Sequence, residues 1–162
     1  HSDTANGYIS GGGYGSIPAP FDVYTAIKKF PFAAGASVTS IGNLSEKKEQ
    51  HSHHNSEIDG YAAGGHGPSP HPLVFSIDKF PFSITSGTAS SVGTLTPSSG
   101  SRGRASNNST TAGFISGLGS PPSGGGGLKV VHSFPFAISS GDASQTSAEI
   151  ASLSGGGQGA DD

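Results

Sequence analysis

Apolar residues along the chain occur in short alternating runs separated by glycine, proline and serine. The segment 73–82 is the clearest example, with β-branched and aromatic residues alternating with polar ones over the length of one strand. No window of helical length has apolar residues at three- and four-residue spacing. The pattern predicts an all-β protein, with strands at 7–10, 23–32, 38–44, 60–63, 74–82, 91–95, 113–116 and 129–136 and a weaker one within 101–108.

Three markers recur in the same order, which indicates three imperfect copies of one unit of about fifty residues. A Phe-Pro-Phe triplet occupies 30–32, 80–82 and 134–136. A glycine–aromatic pair begins at 7, 60 and 113, and a short apolar strand end covers 41–44, 92–95 and 150–153. The predicted repeats are 13–65, 66–118 and 119–162 plus 1–12.

The N-terminal segment 1–12 is assigned to the last repeat because the spacing from the last marker through the chain end to Gly7 matches the other copies. Such a segment either closes a ring, within one chain or across two, or shows that the sequence is a window from a longer array. The chain begins at His1 and contains no methionine, which favours a processed product or a piece of a longer polypeptide.

Four short strands per repeat, punctuated by glycine, are typical of a β-propeller blade. The double glycines at 11–12 and 64–65 resemble those of kelch-type blades, whereas Leu118 replaces the second glycine in the third copy. The combination of 60–65, 77–82 and 92–95 is similar to tandem repeats in structural and tail-fibre-like proteins of aquatic bacteriophages. The resemblance implies a propeller-like array of four-stranded blades with a virion-surface or adhesion role and no catalytic residues.

Composition excludes several classes of function. The net charge is −3 and the eight Lys and Arg residues are scattered, so no basic surface for nucleic acid is expected. No apolar run is long enough to insert into a membrane. The absence of cysteine excludes disulfides and thiolate zinc sites.

The densest chemical feature is the histidine segment His51, His53 and His54, followed by His66 and His71. Imidazoles at this density are candidate ligands for zinc or nickel. The third copy has Ser and Asn in 106–109 at about the same place, so the repeat does not depend on histidine. We interpret the segment as a polar surface strand and loop, and predict no bound metal, cofactor or catalytic residue.

Four carboxylates occupy one polar stretch, at Glu46, Glu49, Glu57 and Asp59. General acid–base catalysis needs carboxylates paired in a cleft, and the other copies have no equivalents. We interpret this stretch as a solvated loop.

Aromatic residues at fixed repeat positions are expected to form the core between blades, with stacking on a sugar or base as the alternative. They are Phe30, Phe32, Phe80, Phe82, Phe134, Phe136, Tyr8, Tyr61 and Phe114.

Apolar markers repeat while the polar loops 45–59, 97–112 and 154–162 diverge, which favours a scaffold over a repeated ligand pocket. We therefore expect a non-enzymatic structural or adhesion component of a virion surface, outside the cell, in contact with other virion proteins or a host receptor. The alternatives are a lectin propeller that binds a cell-surface glycan and, less well supported, a propeller enzyme. Because propellers use about four to eight blades, we expect two chains to form a six-bladed homo-oligomer.

Overall fold

A computed structural model describes residues 1–14, 22–33, 35, 37–95, 105–116 and 130–149, and every helix or strand element within them is a strand, which confirms the all-β prediction. None of the described segments is a helix capable of crossing a membrane. The strands are β1 Asn6–Ser10, β2 Gly13–Tyr14, β3 Asp22–Val23, β4 Ala26–Pro31, β5 Thr39–Asn43, β6 Ser52–Asn55, β7 Asp59–Ala63, β8 Ser76–Pro81, β9 Ser90–Thr94, β10 Ala105–Asn108, β11 Ala112–Ser116, β12 Val130–Pro135 and β13 Ser144–Glu149.

The strands form three larger antiparallel sheets in chain order. The first sheet contains β1, β4 and β5, the second contains β6 to β9, and the third contains β10 to β13. Strands β2 and β3 form a separate two-stranded ribbon. Each large sheet therefore corresponds to one copy of the repeated markers.

Within each sheet, the first phenylalanine of the Phe-Pro-Phe triplet lies opposite the marker glycine. The pairs are Gly7 with Phe30, Gly60 with Phe80 and Gly113 with Phe134. Glycine is required because the aromatic ring lies across its Cα: a Cβ on Gly60 would lie 2.5 Å from Cζ of Phe80. The two markers are thus two halves of one packing unit.

The three sheets pack face to face through two apolar cores. Between the first and second sheets, the ring of Tyr8 stacks on Phe82 with centroids 4.5 Å apart. Between the second and third, Tyr61 stacks on Phe136 at 5.0 Å. The two cores contain, respectively, Tyr8, Ile27, Ile41, Leu44, Ala62, Phe80, Phe82 and Ala89, and Tyr61, Ala63, Ile77, Val92, Leu95, Ile115, Phe134, Phe136, Ile138 and Ala143.

Hydrogen bonds repeat the same joint at both interfaces. The hydroxyl of Tyr61 donates to the carbonyl of Phe136 at 2.6 Å, and the Tyr8 hydroxyl lies 3.2 Å from the carbonyl of Phe82 while sharing its one hydrogen with the closer Asp3 carboxylate. The N–H of Thr94 donates to the carbonyl of Gly141 at 2.9 Å, as that of Asn43 does to Gly87 at 2.9 Å. The stacking of one sheet on the next is therefore the same structural operation applied twice.

Most predicted strands agree with those observed to within about two residues, and one is divided. The expected strand 23–32 is two strands, β3 and β4, because the N–H of Tyr24 bonds to the carbonyl of Gly12 and holds β3 in the small ribbon. Strands β2, β6 and β13 were not predicted as strands. The third strand-end marker at 150–153 lies outside the described residues.

The expectation that segment 1–12 completes the third repeat is wrong. Strand β1 pairs with β4 over five residues, so the segment belongs to the first sheet of its own chain. The boundaries at 65/66 and 118/119 also differ from those of the sheets, because the hydrogen-bonded unit runs from β6 to β9 and then from β10 to β13. Sequence spacing determines the period of a repeat but leaves its starting point open.

Six of the nine expected core aromatics are buried: Tyr8, Tyr61, Phe80, Phe82, Phe134 and Phe136. Phe32 contradicts the expectation, because 57% of its surface is exposed. Phe30 and Phe114 are half-buried. All three lie at the ends of the stack, where no further sheet in the described part of the chain covers them.

Candidate functional site

The turns that lead into β1, β7 and β11, one in each large sheet, have the same construction. In the second sheet, Ser56 Oγ accepts hydrogen bonds from the N–H groups of Ile58 and Asp59, at 3.4 and 3.0 Å. In the third, Ser109 Oγ accepts from Thr111 and Ala112, at 3.2 and 3.0 Å. These side-chain oxygens replace backbone acceptors and set the same turn shape each time.

The first sheet has the same turn, with a carboxylate in place of the hydroxyl. Asp3 Oδ1 accepts from the N–H groups of Ala5 and Asn6, at 2.7 and 2.6 Å. Its second oxygen accepts the Tyr8 hydroxyl at 2.6 Å. This last bond is the largest of the effects that lower the pKa of Asp3, to about 2.

Because the sheets stack in register, the three turns converge on one cleft of about 610 Å³, which we call the three-turn cleft. Each turn contributes three residues at equivalent positions, and most of them are uncharged hydroxyl or amide side chains. They are Ser2, Asp3 and Thr4, then Asn55, Ser56 and Glu57, then Asn108, Ser109 and Thr110.

The amides of the cleft are linked from one sheet to the next by long hydrogen bonds. Asn108 Nδ2 donates to Asn55 Oδ1 at 3.4 Å, and Asn55 Nδ2 donates to the carbonyl of Ser2 at 3.4 Å. Both distances exceed the usual range of about 2.7–3.2 Å, so these bonds are weak. The amides are therefore able to exchange these contacts for a ligand at small cost.

A second cleft of about 590 Å³ adjoins the first and shares Asp3, Thr4 and Glu57 with it. It also includes apolar surface from Ile58 and Phe82, and 68% of the Ile58 side chain is exposed. Together the two clefts combine hydrogen-bonding groups with an apolar platform.

Among the cleft residues, only Glu57 stands out in the sequence as a candidate for chemistry. Ser2, Asn55 and Asn108 are ordinary polar residues, and the segments that contain them differ in sequence from one copy to the next. The signal that could have found them is their constant position, five residues before the marker glycines at 7, 60 and 113.

The histidine segment is divided between two interfaces. His51 and His53 face the first sheet, with ring centroids 4.4 Å apart. Ser10 Oγ lies 3.1 Å from His51 Nε2 and 3.2 Å from His1 Nε2, which lies 3.0 Å from His53 Nδ1. His54 points the other way and its ring meets Phe134 edge-on at 5.2 Å.

The candidate metal ligands therefore do not converge on one point. No group of three or more His, Asp or Glu side chains in the described ranges has an arrangement that would hold a metal ion. The interpretation of the segment as a surface strand is wrong in part, because His51, Ser52 and His54 are buried. The reason is that β6 lies between two sheets, with its side chains alternating toward each.

Burial is the main cause of the low pKa values in this segment. It lowers the pKa of His54 to about 4, although bonds from the ring to Asn108 Oδ1 and the Asn107 carbonyl act in the opposite direction. His54 Nε2 is buried without a hydrogen-bond partner, so protonation would leave a charge uncompensated. His53 keeps an exposed edge, yet the surrounding side chains lower its pKa to about 4, and that of His51 falls well below its ordinary value.

Acid is expected to destabilise the fold through His54. Its unfolded pKa is 6.5 and its folded pKa is about 4, so between these values the unfolded chain binds more protons and stability decreases as the pH decreases. The loss attributable to His54 should reach about 3 kcal/mol at pH 4. Urea unfolding of the native chain and of His54→Gln at several pH values measures it: the variant should show a shallower decrease, and equal slopes would contradict the assignment.

The four carboxylates of 46–59 do not form a catalytic pair. Glu46 Oε1 accepts the Ser76 hydroxyl at 2.5 Å, and Asp59 lies 2.9 Å from the Lys79 ammonium. Glu49 lies 3.5 Å from the ring of His71. The expectation of a solvated loop is wrong for Glu49 and Asp59, which are buried because this stretch connects two packed sheets.

The same connection carries a buried ion pair. Lys48 Nζ lies 3.4 Å from Asp78 Oδ2, and both side chains are fully buried. Asp78 also accepts the N–H and the hydroxyl of Ser45, at 2.8 and 2.7 Å. Burial lowers the pKa of Lys48, and Asp78 acts against that shift. The pair anchors the segment that leaves the first sheet to a strand of the second.

No protein-family model matches the chain, and no curated protein is similar enough to count as a relative. Solved structures are similar in fold. One, titled "Structure of YjhT", is 14% identical with a TM-score of 0.70, and the match covers 96% of this chain and 52% of that one. The chain thus spans about half the length of that structure. At this identity the likeness shows an all-β, propeller-like fold, and fold alone assigns no activity.

Proposed function

We propose that this chain is a non-enzymatic adhesion module of three propeller blades, and that it contacts a glycan receptor through the three-turn cleft. One observation carries the proposal: three equivalent turns direct equivalent polar residues into a single cleft of about 610 Å³. The turns account for Asp3, Ser56 and Ser109, but the packing of the sheets does not account for the flanking Thr4, Asn55 and Thr110. A ligand that presents many hydroxyl groups provides a reason.

The chemistry of the cleft suits a sugar. Amide and hydroxyl side chains both donate and accept, as sugar hydroxyls do. The weak 3.4 Å bond between Asn55 Oδ1 and Asn108 Nδ2 leaves these two groups available, while Asn108 Oδ1 stays bonded to the His54 ring at 3.0 Å. Ile58 and Phe82 in the adjoining cleft offer an apolar surface for the C–H face of a sugar ring.

The three-turn cleft contains two carboxylates, Asp3 and Glu57, and Asp3 is suited to holding a turn rather than to acid catalysis. Glycoside hydrolysis uses one carboxyl that stays protonated near neutral pH. The pKa of Asp3 is about 2, and its oxygens accept bonds from Ala5, Asn6 and Tyr8. Binding without turnover is the function that this arrangement supports.

A glycan array followed by calorimetric titration of the best glycan tests the proposal. The double variant Asn55→Ala/Asn108→Ala should lose about tenfold in affinity, the equivalent of one or two hydrogen bonds. The matched control is Asn107→Ala, because Asn107 adjoins Asn108 on β10 and does not line the cleft; it should bind within about twofold of the native chain. An array without signal, or equal losses in both variants, would refute the glycan site.

We further propose that the module is displayed on a virus particle, as a structural or tail-fibre component. The basis is the resemblance of the repeats, carried by 60–65, 77–82 and 92–95. Immunogold labelling with antibody against the purified chain should decorate intact particles. Label restricted to the host cytoplasm would contradict the location while leaving the glycan site to its own test.

A further inference from the structure

The two ends of the stack of sheets carry complementary halves of the interface that occurs twice inside it. At each internal interface, one sheet presents an aromatic ring from the strand that begins with the marker glycine region, β1 in the first sheet and β7 in the second. The next sheet presents two phenylalanines, from the strand with the Phe-Pro-Phe triplet and the residue after it. The observed combinations are Tyr8 with Phe80 and Phe82, and Tyr61 with Phe134 and Phe136.

The outer face of the first sheet carries the two-phenylalanine side of the interface, and no other sheet covers it in the described part of the chain. Its Ile9 is 52% exposed, whereas the equivalent residues Ala62 and Ile115 are fully buried. Phe32 is 57% exposed, whereas its equivalent Phe82 is 7% exposed. An apolar face of this kind is costly in water and is typical of an interaction surface.

The outer face of the third sheet carries the other half. Phe114 occupies the position of Tyr8 and Tyr61, opposite the same strand of its sheet. Val131 occupies the position of the fully buried Ile27 and Ile77, but both Phe114 and Val131 are only half-buried. This face therefore presents the residue positions that, at the internal interfaces, pack against the phenylalanines of the next sheet.

We propose that the outer face of the first sheet binds the outer face of the third sheet in a second copy of this chain, head to tail. Phe114 of one copy stacks on Phe32 of the other, which continues the internal interface without a new type of contact. Two copies bring six sheets together and cover all four outer faces, a number within the usual range of about four to eight for propellers.

The occupant is a second copy because the chain itself already shows which surface fits. In the second and third sheets, the face that carries the two phenylalanines binds the tyrosine-bearing face of the preceding sheet. Both interfaces contain the same tyrosine–phenylalanine stack and the same hydroxyl-to-carbonyl contact. Because Phe114 stands at the tyrosine position of the third sheet, a second copy repeats the aromatic stack without the hydroxyl bond, whereas a chemically unrelated partner would have to build that stack anew. The proposal is independent of the glycan site, since Ile9, Phe32 and Phe114 of the outer faces do not line the three-turn cleft.

Analytical ultracentrifugation of the 162-residue chain at micromolar concentrations tests the pairing. The expected species has about twice the chain mass of 16.0 kDa. Phe32→Asp or Ile9→Asp should return it to the monomer mass. Leu73→Asp is the control, since Leu73 is similarly exposed at 45% but is not on either outer face, and this variant should remain a dimer. A native chain that stays monomeric overturns the proposal, and so does association that survives Phe32→Asp.

Two further experiments distinguish head-to-tail association from association of one outer face with the same face of a second copy. Phe32→Asp and Phe114→Asp chains should each be monomeric, while their mixture keeps one intact interface and forms a heterodimer. A Phe114→Asp chain that dimerises alone would show that the first sheet pairs with itself, and would overturn the proposal. Phe114→Tyr leaves the fold unstrained and adds the hydroxyl found in Tyr8 and Tyr61, so it should tighten dimerisation about fivefold; unchanged or weaker association contradicts the predicted stack.

Discussion

Replacing Phe80 by alanine is expected to lower the free energy of unfolding by about 3–5 kcal/mol. The ring is fully buried and meets Tyr8 and Phe82 at centroid distances of 6.3 and 6.2 Å. It also covers Gly60, which has no side chain to move into the space. The substitution leaves a cavity between two sheets that cannot close without changing their stacking.

Phe30→Ala is the matched control, because Phe30 occupies the same repeat position but is half-buried on the outer face of the first sheet. Phe30→Ala should lower the free energy of unfolding by less than about 2 kcal/mol, since less apolar area returns to water than with Phe80→Ala. Both should be measured by urea unfolding in a Phe32→Asp background, where self-association does not contribute. A loss under about 1 kcal/mol for Phe80→Ala would show that the ring is not a core element.

Replacing Asp78 by asparagine is expected to destabilise the chain by about 3–5 kcal/mol, because it leaves a buried ammonium without its counter-charge. Lys48 then keeps the hydroxyl and the carbonyl of Ser76, at 2.6 and 3.3 Å, as acceptors. Without Asp78 the pKa of Lys48 falls further, since burial is then opposed only by the more weakly acting Glu46 carboxylate. The variant should therefore regain stability as the pH rises toward the unfolded value of 10.5, where the folded chain already holds Lys48 neutral.

The double variant Lys48→Met/Asp78→Asn separates the effect of the orphaned charge from that of the lost hydrogen bonds. Removing both charges should recover most of the stability that Asp78→Asn loses, because the apolar methionine fills the lysine's space without needing a partner. Denaturant unfolding of the native chain, the two single variants Lys48→Met and Asp78→Asn, and the double variant completes a double-mutant cycle. Additive losses would contradict the buried pair as the cause.

The sequence by itself determined the strands and the repeat. Short alternating runs depend on neighbouring residues, because side chains of a strand point to opposite faces in turn. Strand β8 departs from strict alternation where its pairing shifts register between Ile77 and Asp78. The glycine and phenylalanine markers at 60 and 80 recur because each sheet needs the same close contact between ring and backbone. Local sequence is therefore sufficient to predict an all-β protein of repeated units.

Only the tertiary structure decided which residues meet. The starting point of each sheet depends on strand pairing, which placed 1–12 in the first sheet. Burial of His54, Lys48 and Asp78 depends on the sheet that lies against them, and their local sequence is that of a polar surface. The three-turn cleft depends on the angle at which successive sheets stack, which brings Asn55 and Asn108 together across 53 residues of chain. Contacts of this kind are set by packing over long separations, and no local pattern encodes them.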